Sequence, residues 1–306
     1  MTIFKKVIEM NFQINKILGL SCLILSMNVF AEDHHAESKT FSKTQVSDNI
    51  WMLQGKGGNI AVLNGDDGLL MIDDDYKVMT EALKGEIKSL GGLDKLTYLI
   101  NTHWHGDHTE GNLELGNHAS IVAHDNVRTR LMTRQEVKIF NMVKEPYPEK
   151  ALPSITYQKE MTLHFNNEEI GLRHYAGGHT DGDSVVFFKK ANVVHMGDHF
   201  FSGFFPFVDT GTGGNVLQMA ENVKAILELV DDQTKIIPGH GPLSTKQDMQ
   251  QFYDMLIGTS GEVKQMKKAG LTLDQIKAKG LSEKWNDWTD GFLSTEVWVG
   301  IIYSSL

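Results

Sequence analysis

The stretch Asn101-Thr102-His103-Trp104-His105-Gly106-Asp107-His108-Thr109 places three imidazoles and a carboxylate within six residues. It follows Leu96–Ile100, a short apolar run that reads as a buried strand leading into a loop. A loop leaving a strand can turn His103 and His105 to one side and Asp107 and His108 to the other. That supplies two ligand sets for two metal ions a few ångströms apart, as in two-metal hydrolytic sites. A lone H-x-H pair would read as a His-rich surface loop; the full H-x-H-x-D-H pattern favours metal.

Further candidates recur in the same setting. Asp73 follows Leu69–Ile72, and His179, Asp198 and His240 each follow a short apolar strand and a glycine. Strand ends bring polar side chains to one rim of a sheet, and glycine permits close backbone approach there. Such a series along one chain points to a single cluster. The chain has one cysteine, Cys22, inside an N-terminal apolar segment. With that segment removed, no thiolate nucleophile, disulfide or Cys–metal bond is available, and any metal must be held by imidazole and carboxylate.

That N-terminal segment reads as a cleavable signal peptide over 1–31. Lys5, Lys6 and Lys16 precede an apolar run from Ile17 to Phe30, closed by the small-x-small Val29-Phe30-Ala31. Met10 serves as an alternative start, since Met10–Ala31 alone is a complete signal. Residues 32–47, with Asp33-His34-His35, read as a disordered polar leader. Residues 48–257 then carry short strands first and alternating strands and helices after, twice over. This is a layered α/β chain with sheets inside and helices outside. Helices are expected over Val78–Leu90, Asn126–Val143, Val216–Val230, Gln247–Leu256, Val263–Ala269 and Leu273–Leu281. Residues 258–306, which hold Trp285, Trp288 and Trp298, form a helical extension packed on the domain. The net charge of −10 repels phosphates at long range and argues against a nucleic-acid or anionic-membrane partner. The expected location is periplasmic or secreted and the expected partner a small-molecule substrate; oligomeric state is left open.

Asp73, the H-x-H-x-D-H run, Gly178-His179, Gly197-Asp198 and Gly239-His240 occur in the order that resembles the metallo-β-lactamase superfamily, across roughly residues 48–257. The resemblance implies a four-layer αβ/βα sandwich with a metal site along one edge. It implies a first zinc on His103, His105 and His179, a second on Asp107, His108 and His240, and Asp198 bridging both. Asp73 would orient a ligating imidazole, and His199 would lie beside the ligands. Two Zn²⁺ per chain suit these donors, with Fe or Mn compatible as well. Histidine at 105 departs from the superfamily's diiron flavoproteins, which carry Glu there. Asp rather than Cys at 198 departs from the cysteine-using lactamases and is similar to glyoxalase II-type thioesterases, lactonases and phosphodiesterases.

The activity so implied is hydrolysis of a β-lactam, lactone, ester or thioester carbonyl. Two zinc ions sharing a water would lower its pKa from about 15.7 to about 7, with Asp107 as proton shuttle. A phosphodiesterase or sulfatase on the same site, an iron dioxygenase acting on persulfides, and a non-catalytic periplasmic metal-binding protein are the competing readings. Gly57 and Gly58, in the hairpin tip Gly55–Gly58, and Phe201, Phe204 and Phe205, after the Asp198 loop, are the candidates for the substrate pocket.

Overall fold

The computed structural model describes residues 39–306. The proposed signal segment, its cleavage site, Cys22, the alternative start Met10 and Asp33-His34-His35 lie outside the described residues. Two sheets form the centre. The first contains β1 (Ser42–Gln45), β2 (Ile50–Gln54), β3 (Ile60–Gly65) and β4 (Gly68–Ile72), antiparallel in sequence order. After α1 (Thr80–Leu90) the sheet continues in parallel through β5 (Leu96–Ile100). Two single-turn helices, α2 (Gly106–Thr109) and α3 (Asn112–Leu115), lead to β6 (Ser120–His124). Helix α4 (Asp125–Leu131) and a small hairpin, β7 (Gln135–Val137) with β8 (Met142–Lys144), precede the last strand of this sheet, β9 (Ile155–Tyr157). The second sheet runs β10 (Glu160–Phe165), β11 (Glu168–His174), β12 (Ser184–Phe188), β13 (Val193–His195) and β14 (Lys235–Ile237). Its pairs are antiparallel except β13–β14, which is parallel. Helices α5 (Val216–Leu227), α6 (Lys246–Lys268), α7 (Leu273–Lys279) and α8 (Thr295–Ser305) complete the chain.

The alternation of side chains along each strand generates the layers. From β4, Leu70 and Ile72 point to the space between the sheets, where they meet Ile170, Leu172, Val186 and Ile237 of the second sheet. Leu69 and Met71 point the other way, onto Leu83, Ile87 and Leu90 of α1. All five residues of β4 are therefore buried, as a strand covered on both faces must be. On the far side, Val185, Val194 and Ile236 of the second sheet pack under α5, α6 and α8. Helix, sheet, sheet, helix: this is the expected αβ/βα sandwich.

Three segments differ from the sequence reading. Residues 42–45, assigned to a disordered leader, are an edge strand on β2. It is polar and almost fully exposed, so it carries no apolar pattern to betray it. The helix expected over 126–143 stops at Leu131. The Gln135 amide donates to the Arg130 carbonyl and the Thr133 hydroxyl, and Asn141 adopts the left-handed conformation (φ 50°) that turns the hairpin. The break expected near 257 is absent, since α6 runs through it from a Thr245–Asp248 capping box. Gly258 sits inside this helix because the Trp285 ring fills the space of its missing side chain; a Cβ there would lie 2.2 Å from the ring. No helix among the described residues is long and apolar enough to cross a membrane.

Residues beyond 257 thus belong to the core of the domain. Trp298 is fully buried, stacks on Phe205 at 5.6 Å and donates its indole N–H to Thr259. Trp298→Ala should cost about 3–5 kcal/mol of stability, read as a lowered midpoint in thermal or urea unfolding. A loss under about 1 kcal/mol would show that the C-terminal helices are peripheral.

Candidate metal centre

The expected ligands arrive at one edge from the carboxyl ends of β5, β13 and β14 and from the loop entering β12. Because β12 runs antiparallel to β13, its entering loop lies at the same edge where β13 ends. His103, His105, His179 and Asp198 bring one ligand atom each within 4.8 Å of the others, and Asp107, His108 and His240 do the same beside them. His105 occupies the N-cap position of α2, the short helix that carries Asp107 and His108, and the His103 and His108 rings lie 4.3 Å apart where the two groups meet.

Distances divide the seven residues into two sets around one carboxylate. Asp198 Oδ2 lies 3.2 Å from His179 Nε2 and 3.7 Å from His103 Nε2. Asp198 Oδ1 lies 3.1 Å from His108 Nε2 and 3.5 Å from His240 Nε2. Asp107 Oδ2 is 3.2 Å from His240 Nε2 and 3.6 Å from His108 Nε2. Donors on a tetrahedral ion with bonds of about 2.0–2.1 Å stand roughly 3.3 Å apart, so these separations suit a metal in each set.

The protein also fixes which nitrogen four of the five imidazoles offer. Thr102 donates its hydroxyl to Asp73 Oδ2 (2.7 Å), so it accepts from His103 Nδ1 at 3.1 Å, and Nε2 carries the lone pair. His108 Nδ1 donates to Asp73 (2.7 Å), His179 Nδ1 to the Phe207 carbonyl (2.7 Å) and His105 Nε2 to Asp209 (3.2 Å). The lone pairs left over are His108 Nε2, His179 Nε2 and His105 Nδ1, and all face the clusters. Among the described residues His103 Nε2 and Asp198 Oδ1 are buried without a hydrogen-bond partner, a costly state that a cation would relieve. The donor set therefore fits metal ions held by neutral imidazole and carboxylate.

Within the chain alone, the buried groups shift one another's protonation. Burial drives the His103 imidazole well below its ordinary value and His179 to about 4. Burial resists ionisation of Asp198 and Asp107, but His108 and His240 outweigh it and hold both carboxyls well below the usual range. The same carboxylates lift His240 to about 9 against its burial.

Asp73 sits beside the ligands, not among them, with a left-handed backbone (φ 61°) at the end of β4 and its carboxylate on the Thr102 N–H. Asp209 and the Phe207 carbonyl hold His105 and His179, and the sequence reading missed both. The one available signal was that His105 and His179 each needed a second-nitrogen acceptor. His199 is buried behind Gly178 and touches Asn222 and Tyr175, outside the metal sets.

A cavity of about 400 Å³ opens over the clusters, lined by His105, Asp107, Asp198 and His240. Phe201, Phe207, Phe140 and Phe292 form its apolar wall, with Tyr76, Lys56 and Lys144 as polar neighbours. Of the expected pocket residues, Phe201 lines it. Phe204 stands behind, edge-on to Phe201 at 5.8 Å, while Phe205 is core against Trp298. Gly57 and Gly58 wedge beneath the site: a Cβ on Gly58 would fall 2.0 Å from the His108 ring, and one on Gly57 2.6 Å from the Asp107 carbonyl. Lys56 is the residue of that tip that faces the cavity.

Residues 53–240 match the metallo-beta-lactamase superfamily, and the chain belongs to it. Among solved structures it is similar to a metallo-beta-lactamase from Pontibacter korlensis, with TM-score 0.57, 15% identity, and 71% of this chain and 99% of that one covered. It is also similar to the DIM-1 metallo-beta-lactamase, with TM-score 0.56, 22% identity and coverages of 71% and 97%. The stereoselective inverting sec-alkylsulfatase Pisa1 from a Pseudomonas species aligns over 86% of this chain, with TM-score 0.68 and 14% identity. This chain spans half the length of that sulfatase. No curated protein matches the sequence significantly.

Asp73→Asn keeps a residue that tolerates the left-handed conformation but weakens the acceptor for His108 and Thr102. It should lower metal affinity by roughly 10–100-fold, measured by competition with a chromophoric chelator, with the far-UV spectrum unchanged. Unchanged affinity would show that Asp73 supports the fold alone.

Proposed function

We propose that the protein is an exported di-zinc hydrolase acting on a carbonyl substrate: a β-lactam, lactone, ester or thioester. The single observation that carries this reading is the pair of donor sets joined by Asp198 on the floor of a cavity large enough for a small molecule. His103, His105 and His179 would hold one ion, Asp107, His108 and His240 the other, and Asp198 both. Bound there, the ions would supply Lewis acidity and a water that ionises near neutral pH.

The chain's own groups would do the rest. Asp107 faces the cavity with 19% of its side chain exposed. Its carboxylate can therefore orient a water and accept its proton for delivery to the leaving group. Water adds to the acyl carbon, the bond to the leaving group breaks, and that proton completes the departing oxygen, nitrogen or sulfur. Phe201 and Phe207 exclude bulk water from one side, strengthening the charge interactions inside. Neither Ser nor Cys is required as a nucleophile.

One observation supports the phosphodiesterase or sulfatase alternative. Lys56 and Lys144 both line the cavity, and Lys144 lies beside Gly106 between two would-be ligands. An anionic ester would find cationic partners there, although Glu110 sits 3.3 Å from the Lys144 ammonium. Export is supported by the basic, apolar and small-residue order of residues 1–31.

The test is metal content measured together with turnover. Purified residues 32–306 should carry two zinc ions per chain and hydrolyse one of a chromogenic cephalosporin, a lactone, a thioester or bis-nitrophenyl phosphate. Chelator should abolish that activity. Asp107→Ala should lower kcat/KM by at least about 10²-fold, with any loss of metal measured in parallel. A metal-loaded Asp107→Ala protein with full activity would remove Asp107 from the reaction. A fully loaded wild type inactive on the whole panel would favour the binding-protein reading.

A further inference from the structure

The wall of the cavity beside the metal sets contains apolar side chains that the protein itself leaves uncovered. Phe140, Met142 and Phe292 all line it, yet they are 37%, 40% and 55% exposed. Among the described residues only nine large hydrophobic side chains are so exposed, and five of them, these three with Ile139 and Val143, belong to the β7–β8 hairpin or to Phe292. Such a concentration beside one cavity differs from the scattered exposed apolar residues of an ordinary surface.

The wall is continuous with the chemistry. Phe140 meets Phe207 at 4.8 Å and Phe292 at 6.2 Å. Phe207 packs 5.7 Å from the His105 ring, while Phe201 stacks on His240 at 5.0 Å. An aromatic path thus runs from the histidines to the rim. The hairpin that carries it is anchored at its base. Lys144 donates to the Tyr147 hydroxyl at 3.0 Å and lies 3.3 Å from Glu110, and Tyr147 hydrogen-bonds Thr109 at the end of α2. Buried Leu293 fixes the neighbour of Phe292. The apolar surface is therefore held at the mouth and remains open.

We propose that the cavity is built for an amphiphile: a polar, hydrolysable head on the metal sets and an extended alkyl or aryl tail along Phe207, Phe140, Met142 and Phe292. This rests on the cavity being the substrate site. The tail's apolar area, not its detailed shape, supplies the affinity, because three aromatic rings and a flexible thioether adapt to straight or ringed chains. Phe140 and Phe292 act as specificity determinants and take no part in bond breaking.

The experiment uses zinc-loaded protein and straight-chain alkyl carboxylates of increasing length, from butanoate to dodecanoate, with Kd measured by calorimetry. Affinity should rise about twofold to fourfold per added methylene until the tail passes the rim. Phe140→Ala and Phe292→Ala should flatten that slope, whereas Leu229→Ala, an exposed apolar residue elsewhere, should leave both the slope and butanoate binding intact. A Kd independent of length, or a slope unaltered in both aromatic variants, would overturn the proposal. A parallel series of p-nitrophenyl esters separates this proposal from the hydrolase reading. Turnover without length dependence removes the amphiphile and keeps the hydrolase. Length-dependent binding without turnover of any ester keeps the amphiphile and removes the ester hydrolase.

Discussion

The site depends on four of its five converging imidazoles, those of His103, His105, His108 and His179, being committed through the other nitrogen to an acceptor supplied by the fold. Asp73 carries most of this burden. Its two oxygens accept the Thr102 N–H, the Thr102 hydroxyl and His108 Nδ1, and the hydroxyl so oriented can only accept from His103. One buried carboxylate at the end of β4 thereby sets the tautomer of an imidazole in each metal set. The constraint reaches into the backbone: Asp73 must leave β4 in a left-handed conformation for its oxygens to face the β5 loop. Parallel pairing of β4 with β5 makes this reach short, since both strands end at the same edge.

A centre organised in this way is unfavourable on its own. Five imidazoles and two carboxylates converge, and His103 Nε2 and Asp198 Oδ1 find no hydrogen-bond donor or acceptor among the described residues. Such clusters are where sequences accept local cost for function. Their ligands are held by strand ends rooted in three hydrophobic layers, so the surrounding core can absorb that cost. An ion binding only the folded chain would return stability through mass action, which couples metal affinity to the persistence of the fold.

The extent to which the sequence reveals all this follows the range of the interactions involved. His103 to His108 are legible because the pattern is local and its strand is apolar. Asp73, His179, Asp198 and His240 are legible because each ends a strand, most of them behind a glycine. Asp209 is not, since nothing in Val208-Asp209-Thr210 announces a partner for a histidine a hundred residues earlier. The β7–β8 hairpin reads as helix because Val137, Ile139, Phe140 and Val143 fall near helical spacing, and only Asn141 and the Gln135 contacts with Arg130 and Thr133 decide otherwise. Strand β1 has no buried face and so no periodicity. Gly258 to Gly261 resemble a helix end until Trp285, remote in sequence, is seen to occupy the gap.

These same three misread regions differ in what they contribute to the cavity, and the difference is informative. The donor floor is built at one sheet edge, from the loops that leave β5, β13 and β14, the short helix α2 and the loop entering β12. The aromatic wall is assembled from elements outside the sheets: the hairpin between α4 and β9, the loop after Asp198, and Phe292 before α8. Phe292 reaches the cavity only because the C-terminal helices share the core under the second sheet, with Trp298 locked against Phe205. The hairpin is nonetheless tied to the donors, since Lys144 and Tyr147 join it to Glu110 and to Thr109 at the end of the helix that carries Asp107 and His108. The seven donors thus gather at the sheet edge, while the exposed aromatic side chains stand on the hairpin and on the segment before α8.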